Sequence, residues 1–198
     1  MKSFRIIENP SELGAGTRGS SLGIEALRIA AINKKSKLFY KNEVVTLTKN
    51  NKKLFKPIVT PHAIRLKQIY NRIKQLGLEV ENSISDRRFP LVISGDHSSA
   101  AGTIAGLKKA YPEHRIGVVW IDAHSDMHTP YTTPSGNVHG MPLAMAMGLD
   151  NKKKARNEVV DRTLDYWENC KNIFDICPKM NPENLVFIGL RSSEEEEI

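Results

Sequence analysis

Five stretches of the chain combine β-branched and apolar residues in runs that predict β-strands. These stretches are Phe4–Ile7, Val44–Leu47, Pro90–Ser94, Ile116–Asp122 and Leu185–Leu190. The last three are almost uninterrupted apolar runs, which are typical of strands covered on both faces of a sheet. The pattern therefore predicts a buried sheet.

Between the strands, apolar residues recur at helical spacing. The predicted helices are Ser21–Ile32, a segment from Thr60 to Leu76, Ser98–Ala110 and Arg156–Phe174. Thr60 as N-cap with Pro61 after it predicts the start of the second helix, and Gly77 predicts its end. Because strands and helices alternate without a linker, we expect one α/β domain over residues 1–198. Its mostly parallel sheet should carry helices on both faces.

The net charge of the chain is +7, from 29 Lys and Arg against 22 Asp and Glu. The lysines lie in short scattered clusters, such as Lys34-Lys35 and Lys52-Lys53, and no RNA-binding or zinc-finger pattern accompanies them. Solvated faces explain this charge better than a nucleic-acid surface, so we expect no nucleic-acid partner.

Targeting signals and cysteine chemistry are both weak in this sequence. The N-terminus, Met1–Pro10, has no long apolar stretch, and no run approaches the ~18 apolar residues of a membrane span. Cys170 and Cys177 match no zinc signature, so we expect two reduced thiols. These features favour a cytoplasmic protein with no membrane partner.

Polar residues follow the third and fourth predicted strands at the point where each apolar run ends. His97 follows the third strand, which we expect to neighbour the fourth, and Asp122, His124 and Asp126 end the fourth at alternate positions. In extended backbone this spacing would place the three side chains on one side. Ligands of parallel α/β folds gather at the carboxyl ends of the strands. We therefore expect two imidazoles and two carboxylates to converge.

Oxygen and nitrogen ligands without thiolate suit Mn²⁺, and less selectively Zn²⁺, Co²⁺ or Fe²⁺. Asp122 is the natural bridge between two cations because possible ligands flank it. A single Asp–His pair would more often only cap a strand end. Four such residues at strand ends favour a metal site, where two cations could hold a shared hydroxide as nucleophile.

A polar loop punctuated by Pro and Gly follows the cluster directly, over residues 129–142. Its Ser135, Asn137 and His139 offer hydroxyl, amide and imidazole groups where substrate contacts are usually made. The Thr and Pro residues are explained by ordinary turn chemistry. His139 suits a proton donor because imidazole titrates near neutral pH.

Three motifs together resemble the arginase branch of the ureohydrolase family. They are Gly95-Asp-His-Ser98, Asp122-Ala-His-Ser-Asp126 and Ser135-Gly-Asn-Val-His-Gly-Met-Pro142. The segments Gly14–Ser20, Leu22–Arg28 and Ile188–Arg191 resemble the family's first turn, first helix and a later strand. The resemblance covers nearly the whole chain. It implies a three-layer α/β/α fold and a homo-oligomer, either trimer or hexamer.

The resemblance also implies a centre of two Mn²⁺ ions. His97 and Asp126 would bind one ion, His124 would bind the other, and Asp122 would bridge them. His139 matches the proton-shuttle histidine of the family, and we take His139 and Asp126 as the catalytic residues.

Four residues stand at positions that bind substrate in the family, and three of them match its pattern. Ser135 and Asn137 would hold the α-carboxylate of arginine, and Glu194 would lie near its α-amino group. His128 departs from the pattern, since arginases usually carry an Asn there that helps to hold the carboxylate. Imidazole can still donate one hydrogen bond, so arginine remains the favoured substrate.

Two further departures concern the second half of the chain. The connection Asn151–Pro182 is longer than expected, and we expect its extra helix to be peripheral or to contact another subunit. Arginases take further metal ligands from an Asp-x-Asp motif on a later strand, and this sequence contains no such motif before it ends at Ile198. We therefore expect a C-terminal portion to be missing and the chain as given to be impaired.

The resulting hypothesis is metal-dependent hydrolysis of the guanidino group of L-arginine to L-ornithine and urea by a metal-bridging hydroxide. Agmatinase and formiminoglutamase are alternatives within the family, and the Ser135-Gly-Asn137 element argues against agmatinase because agmatine has no carboxylate. A non-catalytic protein that binds metal or contacts other subunits is an alternative of a different class.

Overall fold

The computed structural model describes residues 3–197. Within this range the strands are β1 (Phe4–Asn9), β2 (Glu43–Thr46), β3 (Phe89–Ser94), β4 (Val118–Ile121) and β5 (Leu185–Ile188). The α-helices are α1 (Leu22–Asn33), α2 (Leu38–Lys41), α3 (Leu66–Ser85), α4 (Ala100–Ala110), α5 (Pro142–Met147) and α6 (Asp161–Lys171). Each predicted strand is present, with each end within two residues of the prediction. The expectation that the last three strands are covered on both faces is wrong for β4 and β5, where Val119, Ile121, Val186 and Ile188 leave one face at least half exposed.

The strands pair only in parallel over residues 3–197, which confirms the expected α/β class. They form a sheet of order β2-β1-β3 and a separate pair, β4-β5. The prediction that β3 neighbours β4 is wrong for the described residues. A cleft of about 670 Å³ separates these two strands, lined by Pro90 and Val92 on one side and by Val118 and Trp120 on the other.

Helices lie on both faces of the larger sheet. On one face Ile7 of β1 packs with Leu76 and Val80 of α3, and they are buried. On the other face Arg28 of α1 donates a hydrogen bond of 2.7 Å to Glu8 of β1. Successive strand residues point to opposite faces, so an apolar Ile7 beside a paired Glu8 gives each face its own partner.

The second helix starts and ends later than predicted. Instead of serving as the first helical residues, Thr60 and Pro61 form a turn, and the amide of Ile64 donates to the carbonyl of Gly136 at 2.8 Å. Gly77 lies inside α3, where an added Cβ would come within 2.7 Å of the Phe174 ring. Close packing explains this glycine better than a helix stop. Among the helices of residues 3–197, none has the length and hydrophobicity that crossing a membrane requires.

Helix α6 is shorter than predicted, and it is not peripheral. Its Trp167 is completely buried in the core beside Ile69 and Met145, and the indole Nε1 donates to Asp150 at 2.9 Å. An aromatic ring of this size buries a large apolar surface, so the extra helix contributes to the core. Both cysteines are free thiols, as expected, with Cys170 buried and Cys177 exposed.

Candidate metal centre

Three of the four predicted metal ligands lie together. Nδ1 of His97 is 2.8 Å from a carboxylate oxygen of Asp126 and 3.2 Å from one of Asp122. Each of the three residues offers a ligand atom within 4.8 Å of those of the other two. One cation could therefore contact all three side chains after small adjustments.

His124, the fourth predicted ligand, lies at the edge of this group. Its side chain is 69% exposed, and its Nδ1 is 3.4 Å from the second carboxylate oxygen of Asp122. Asp122 thus lies between the two histidines, which is the position that a bridging ligand requires. His124 also donates its backbone N–H to Asp122 at 2.9 Å, which fixes the carboxylate between them.

The backbone path to this cluster differs from the extended path that the spacing predicted. Strand β4 ends at Ile121, and Asp126 has a φ of 51°. Positive φ is uncommon for a residue other than Gly, although Asp tolerates it better than most. The turn, rather than alternation along a strand, carries Asp126 to the side of His97.

The charges around His97 favour the binding of a cation. Burial disfavours a charged His97, but its hydrogen bond to Asp126 and the negative charges of Asp126 and Asp122 outweigh burial and raise its pKa. Burial likewise opposes ionisation of Asp122, but the His124 amide and the charge of His97 lower the pKa of this carboxyl. Two carboxyl groups beside imidazole, without sulfur, fit a hard or borderline divalent cation.

Trp120 supports His97 from behind, a contact that the sequence analysis did not identify. The imidazole stacks on the Trp120 indole with ring centres 4.4 Å apart and planes 13° from parallel. The indole is buried, so it limits the orientations available to His97. The only signal in the sequence was an aromatic residue inside the apolar run of β4.

Gly136 sets the shape of the loop that carries Ser135, Asn137 and His139. Its φ is +73°, and an added Cβ would lie 2.1 Å from the carbonyl oxygen of Pro61. Only glycine accepts both the conformation and the contact. The loop is therefore pressed against the turn before α3, with Ser135 and Asn137 on either side of the contact point.

Asp96 and Gly14 form a second support that the sequence analysis overlooked. Asp96 accepts backbone hydrogen bonds from Gly14 at 3.1 Å and from Ser98 at 2.9 Å, and Gly14 accepts one from the His139 amide at 3.0 Å. An added Cβ at Gly14 would meet the Ser98 hydroxyl at 2.7 Å. Although these hydrogen bonds oppose it, burial raises the pKa of Asp96. The N-terminal turn thus positions the backbone of His139.

A pocket of about 380 Å³ joins the cluster of His97, Asp122 and Asp126 to the loop and to the acidic run, which is Glu194–Glu197. The predicted site residues that line it are His97, Asp122, His124, Asp126, His128, Ser135, Asn137, His139 and Glu194. Glu197 also lines it and was not predicted. Its carboxylate accepts the Met127 amide at 3.2 Å and lies 3.8 Å from Nε2 of His128. Position within the acidic run was its only signal.

Known proteins match this chain along its length. The family model described as "Arginase family" matches residues 2–198. Arginase from Bacillus subtilis is 36% identical over 197 residues, which are 99% of this chain and 60% of that protein. Arginase from Bacillus caldovelox is 35% identical over 199 residues, with 100% and 60% covered.

Solved structures give the same result. A crystal structure of Bacillus subtilis arginase has a TM-score of 0.74 at 35% identity, covering 99% of this chain and 60% of the other. A crystal structure of Bacillus cereus arginase has a TM-score of 0.76 at 32% identity, covering 100% and 60%. The chain spans about 60% of the length of these relatives. The chain belongs to the arginase family.

Proposed function

We propose that the protein hydrolyses the guanidino group of L-arginine to L-ornithine and urea with the help of two Mn²⁺ ions. The observation that carries this proposal is the composition of one pocket. Potential metal ligands lie on one part of its wall. The same pocket is lined by Ser135, Asn137 and Glu194, which suit the carboxylate and ammonium groups of an α-amino acid. Because the chain spans about 60% of its relatives, the activity is proposed for the whole protein.

The metal ligands follow from donor chemistry and position. His97 and Asp126 would hold one Mn²⁺, His124 would hold the other, and Asp122 would contact both. Bound together, two such ions supply a hydroxide nucleophile at neutral pH and stabilise developing negative charge. The same donors also accept Zn²⁺, Co²⁺ or Fe²⁺, so the choice of metal is part of the test.

The remaining pocket residues would bind and orient the substrate. The Ser135 hydroxyl and the Asn137 amide can donate hydrogen bonds to the α-carboxylate, and the Glu194 carboxylate can accept one from the α-ammonium. These contacts would place the guanidino carbon beside His97, Asp122 and Asp126. As water adds to that carbon and its bond to the ornithine nitrogen breaks, His139 would deliver a proton to that nitrogen.

His128 contacts both the substrate loop and the acidic run. Its Nδ1 is 3.2 Å from the Thr132 hydroxyl, and its Nε2 is 3.8 Å from oxygens of Glu194 and Glu197. We propose that it supports recognition of the amino acid end of the substrate through these acidic side chains.

We also propose that the whole protein is a cytoplasmic homo-oligomer, a trimer or hexamer.

The test combines metal analysis with product identification. Purified protein is stripped with a chelator, reloaded with Mn²⁺, Zn²⁺, Co²⁺ or Fe²⁺, and assayed with L-arginine and with agmatine. We expect urea and ornithine from arginine with Mn²⁺, and less product from agmatine, because a site built for a carboxylate penalises its absence. Asp122→Asn should abolish the activity, whereas Asp165→Asn on the exposed face of α6 should not.

Three outcomes would contradict the proposal. Equal or greater turnover of agmatine would reject arginine as the preferred substrate. Bound metal with arginine affinity but no product would favour a protein that binds without catalysis. Activity in the stripped protein would reject the metal requirement.

A further inference from the structure

Arg156 contacts the acidic run beside the pocket, and it belongs to the long connection, Asn151–Pro182. Its guanidinium Nη2 donates to one carboxylate oxygen of Glu194 at 3.1 Å. The same nitrogen forms an ion pair with Glu196. The other oxygen of Glu194 lies 3.8 Å from Nε2 of His128, which lines the pocket.

The backbone around Arg156 is fixed to the substrate loop on the opposite side. The amides of Arg156 and Asn157 both donate to the carbonyl of Tyr131, at 2.9 and 3.0 Å. The side-chain amide of Asn157 donates to the carbonyls of Pro130 at 3.0 Å and Thr133 at 2.8 Å. These four hydrogen bonds join residues 156–157 to residues 130–133, the part of the loop that precedes Ser135.

Residues 156–157 therefore connect two walls of one pocket. The Asn157 contacts hold the loop wall, and the Arg156 guanidinium holds Glu194 on the acidic wall. A glutamate side chain that is already ordered loses less conformational entropy when it binds a ligand. Arg156 also shares its charge between Glu194 and Glu196, so these three side chains together keep one net negative charge beside the pocket.

We propose that Arg156 is a positioning residue for recognition of the substrate α-ammonium group. It binds one oxygen of Glu194 and leaves the other directed toward His128 and the pocket. Asn157 fixes the separation between Glu194 and the Ser135 loop, and so matches the pocket to a ligand that carries both an ammonium and a carboxylate. This inference rests on the proposed function, because it assigns the ammonium to Glu194.

The experiment compares two ligands that differ only at the α-carbon. L-Arginine carries the ammonium, and 5-guanidinopentanoate has hydrogen in its place. Dissociation constants for both are measured by calorimetry on the Mn²⁺-loaded protein in the His139→Ala background, where turnover is slow, and KM and kcat for L-arginine are measured with His139 present. The variants are Arg156→Gln and Arg156→Lys. Lys154→Gln is the matched control, because Lys154 pairs with Glu195, which does not line the pocket.

We expect Arg156→Gln to weaken arginine binding about fivefold, the upper range for a partly exposed ion pair. KM should rise by the same factor while kcat stays within about twofold, because the interaction is equal in the ground and transition states. Binding of 5-guanidinopentanoate should not change. Arg156→Lys should recover part of the loss, and Lys154→Gln should behave as wild type.

A ligand-free measurement separates positioning from substrate choice. Hydrogen exchange of the 194–197 amides should accelerate more in Arg156→Gln than in Lys154→Gln, because Arg156 pairs with both Glu194 and Glu196 whereas Lys154 pairs with Glu195. Unchanged exchange would overturn the positioning role. Equal loss of affinity for both ligands would overturn the assignment to the ammonium. If wild type binds neither ligand, the proposed function fails, and the recognition role fails with it.

Discussion

Nδ1 of His97 lies 2.8 Å from a carboxylate oxygen of Asp126, although the strands that precede these residues are not hydrogen-bonded to each other. The contact is made beyond the strand ends, by a short helical turn after β3 and by the left-handed backbone of Asp126 after β4. Loop geometry therefore builds the centre. Substituting a residue of this centre should therefore reduce metal affinity more than it reduces the stability of the fold.

His97→Ala should weaken Mn²⁺ binding by at least about 10–100-fold, the loss typical even for residues that only support a ligand. The His97 imidazole nitrogen lies within 3.2 Å of both carboxylates, and alanine removes this donor from the centre. Equilibrium dialysis with metal analysis measures the change. His114→Ala, at an exposed surface position, is the control, and equal metal content in both variants would remove His97 from the centre.

His139→Ala should lower turnover of L-arginine by about 10²–10⁴-fold in the whole protein, the usual contribution of a general acid. The residue lines the pocket but lies outside the three-residue cluster, so bound metal should stay constant. Activity and metal content are measured on the same sample. Loss of an ion from this variant would show that His139 is a ligand and not the proton donor.

Gly136→Ala should destabilise the protein by about 1–3 kcal/mol, the usual cost of a strained backbone position. Its φ of +73° disfavours any Cβ, and the new methyl group would collide with the Pro61 carbonyl. The free energy of unfolding in urea measures the change. Gly140→Ala is the control in the same loop, because an added Cβ there meets nothing within 4 Å. Similar stability of the two variants would contradict the predicted strain.

Lys179 should make stability depend on pH above neutrality. Burial lowers the pKa of Lys179 to about 8 from an ordinary value of 10.5, and its ammonium donates to the carbonyls of Lys171 and Ile176. The unfolded chain binds the proton more tightly, so unfolding takes up a proton between these values. The stability of wild type should therefore rise with pH in this window, and the cost of burying the charge should be greatest below about pH 8.

Lys179→Met isolates this effect from the other titrating groups. The unfolding free energy of wild type minus that of the variant should increase from pH 8 to pH 10.5, by on the order of 3 kcal/mol at most. Lys153→Met, at an exposed position, should show no such shift. A pH-independent difference would mean that the folded and unfolded pKa values of Lys179 are equal.

The sequence alone predicted the local structure where one strong signal dominates. Continuous apolar runs located β3, β4 and β5, because β-branched and apolar residues in short runs favour strands. The prediction that Gly77 ends the helix was wrong because a local signal was taken alone. A glycine near a predicted helix end usually stops the helix, but here its missing side chain allows the Phe174 ring to approach α3.

The sequence also determined which chemical groups stand at the strand ends, since His97, Asp122, His124 and Asp126 follow apolar runs regardless of how those strands are arranged. Only the tertiary structure decided which of them meet. Three converge and His124 stays at the edge, because the backbone turns after Ile121.

The supports of the site were likewise decided by the tertiary structure. Trp120, Asp96 and Arg156 act through contacts between residues distant in the chain, and no local pattern marks such contacts. Spacing in the sequence predicts which side chains lie on the same strand, helix or loop, whereas tertiary packing determines which of these elements line the same pocket.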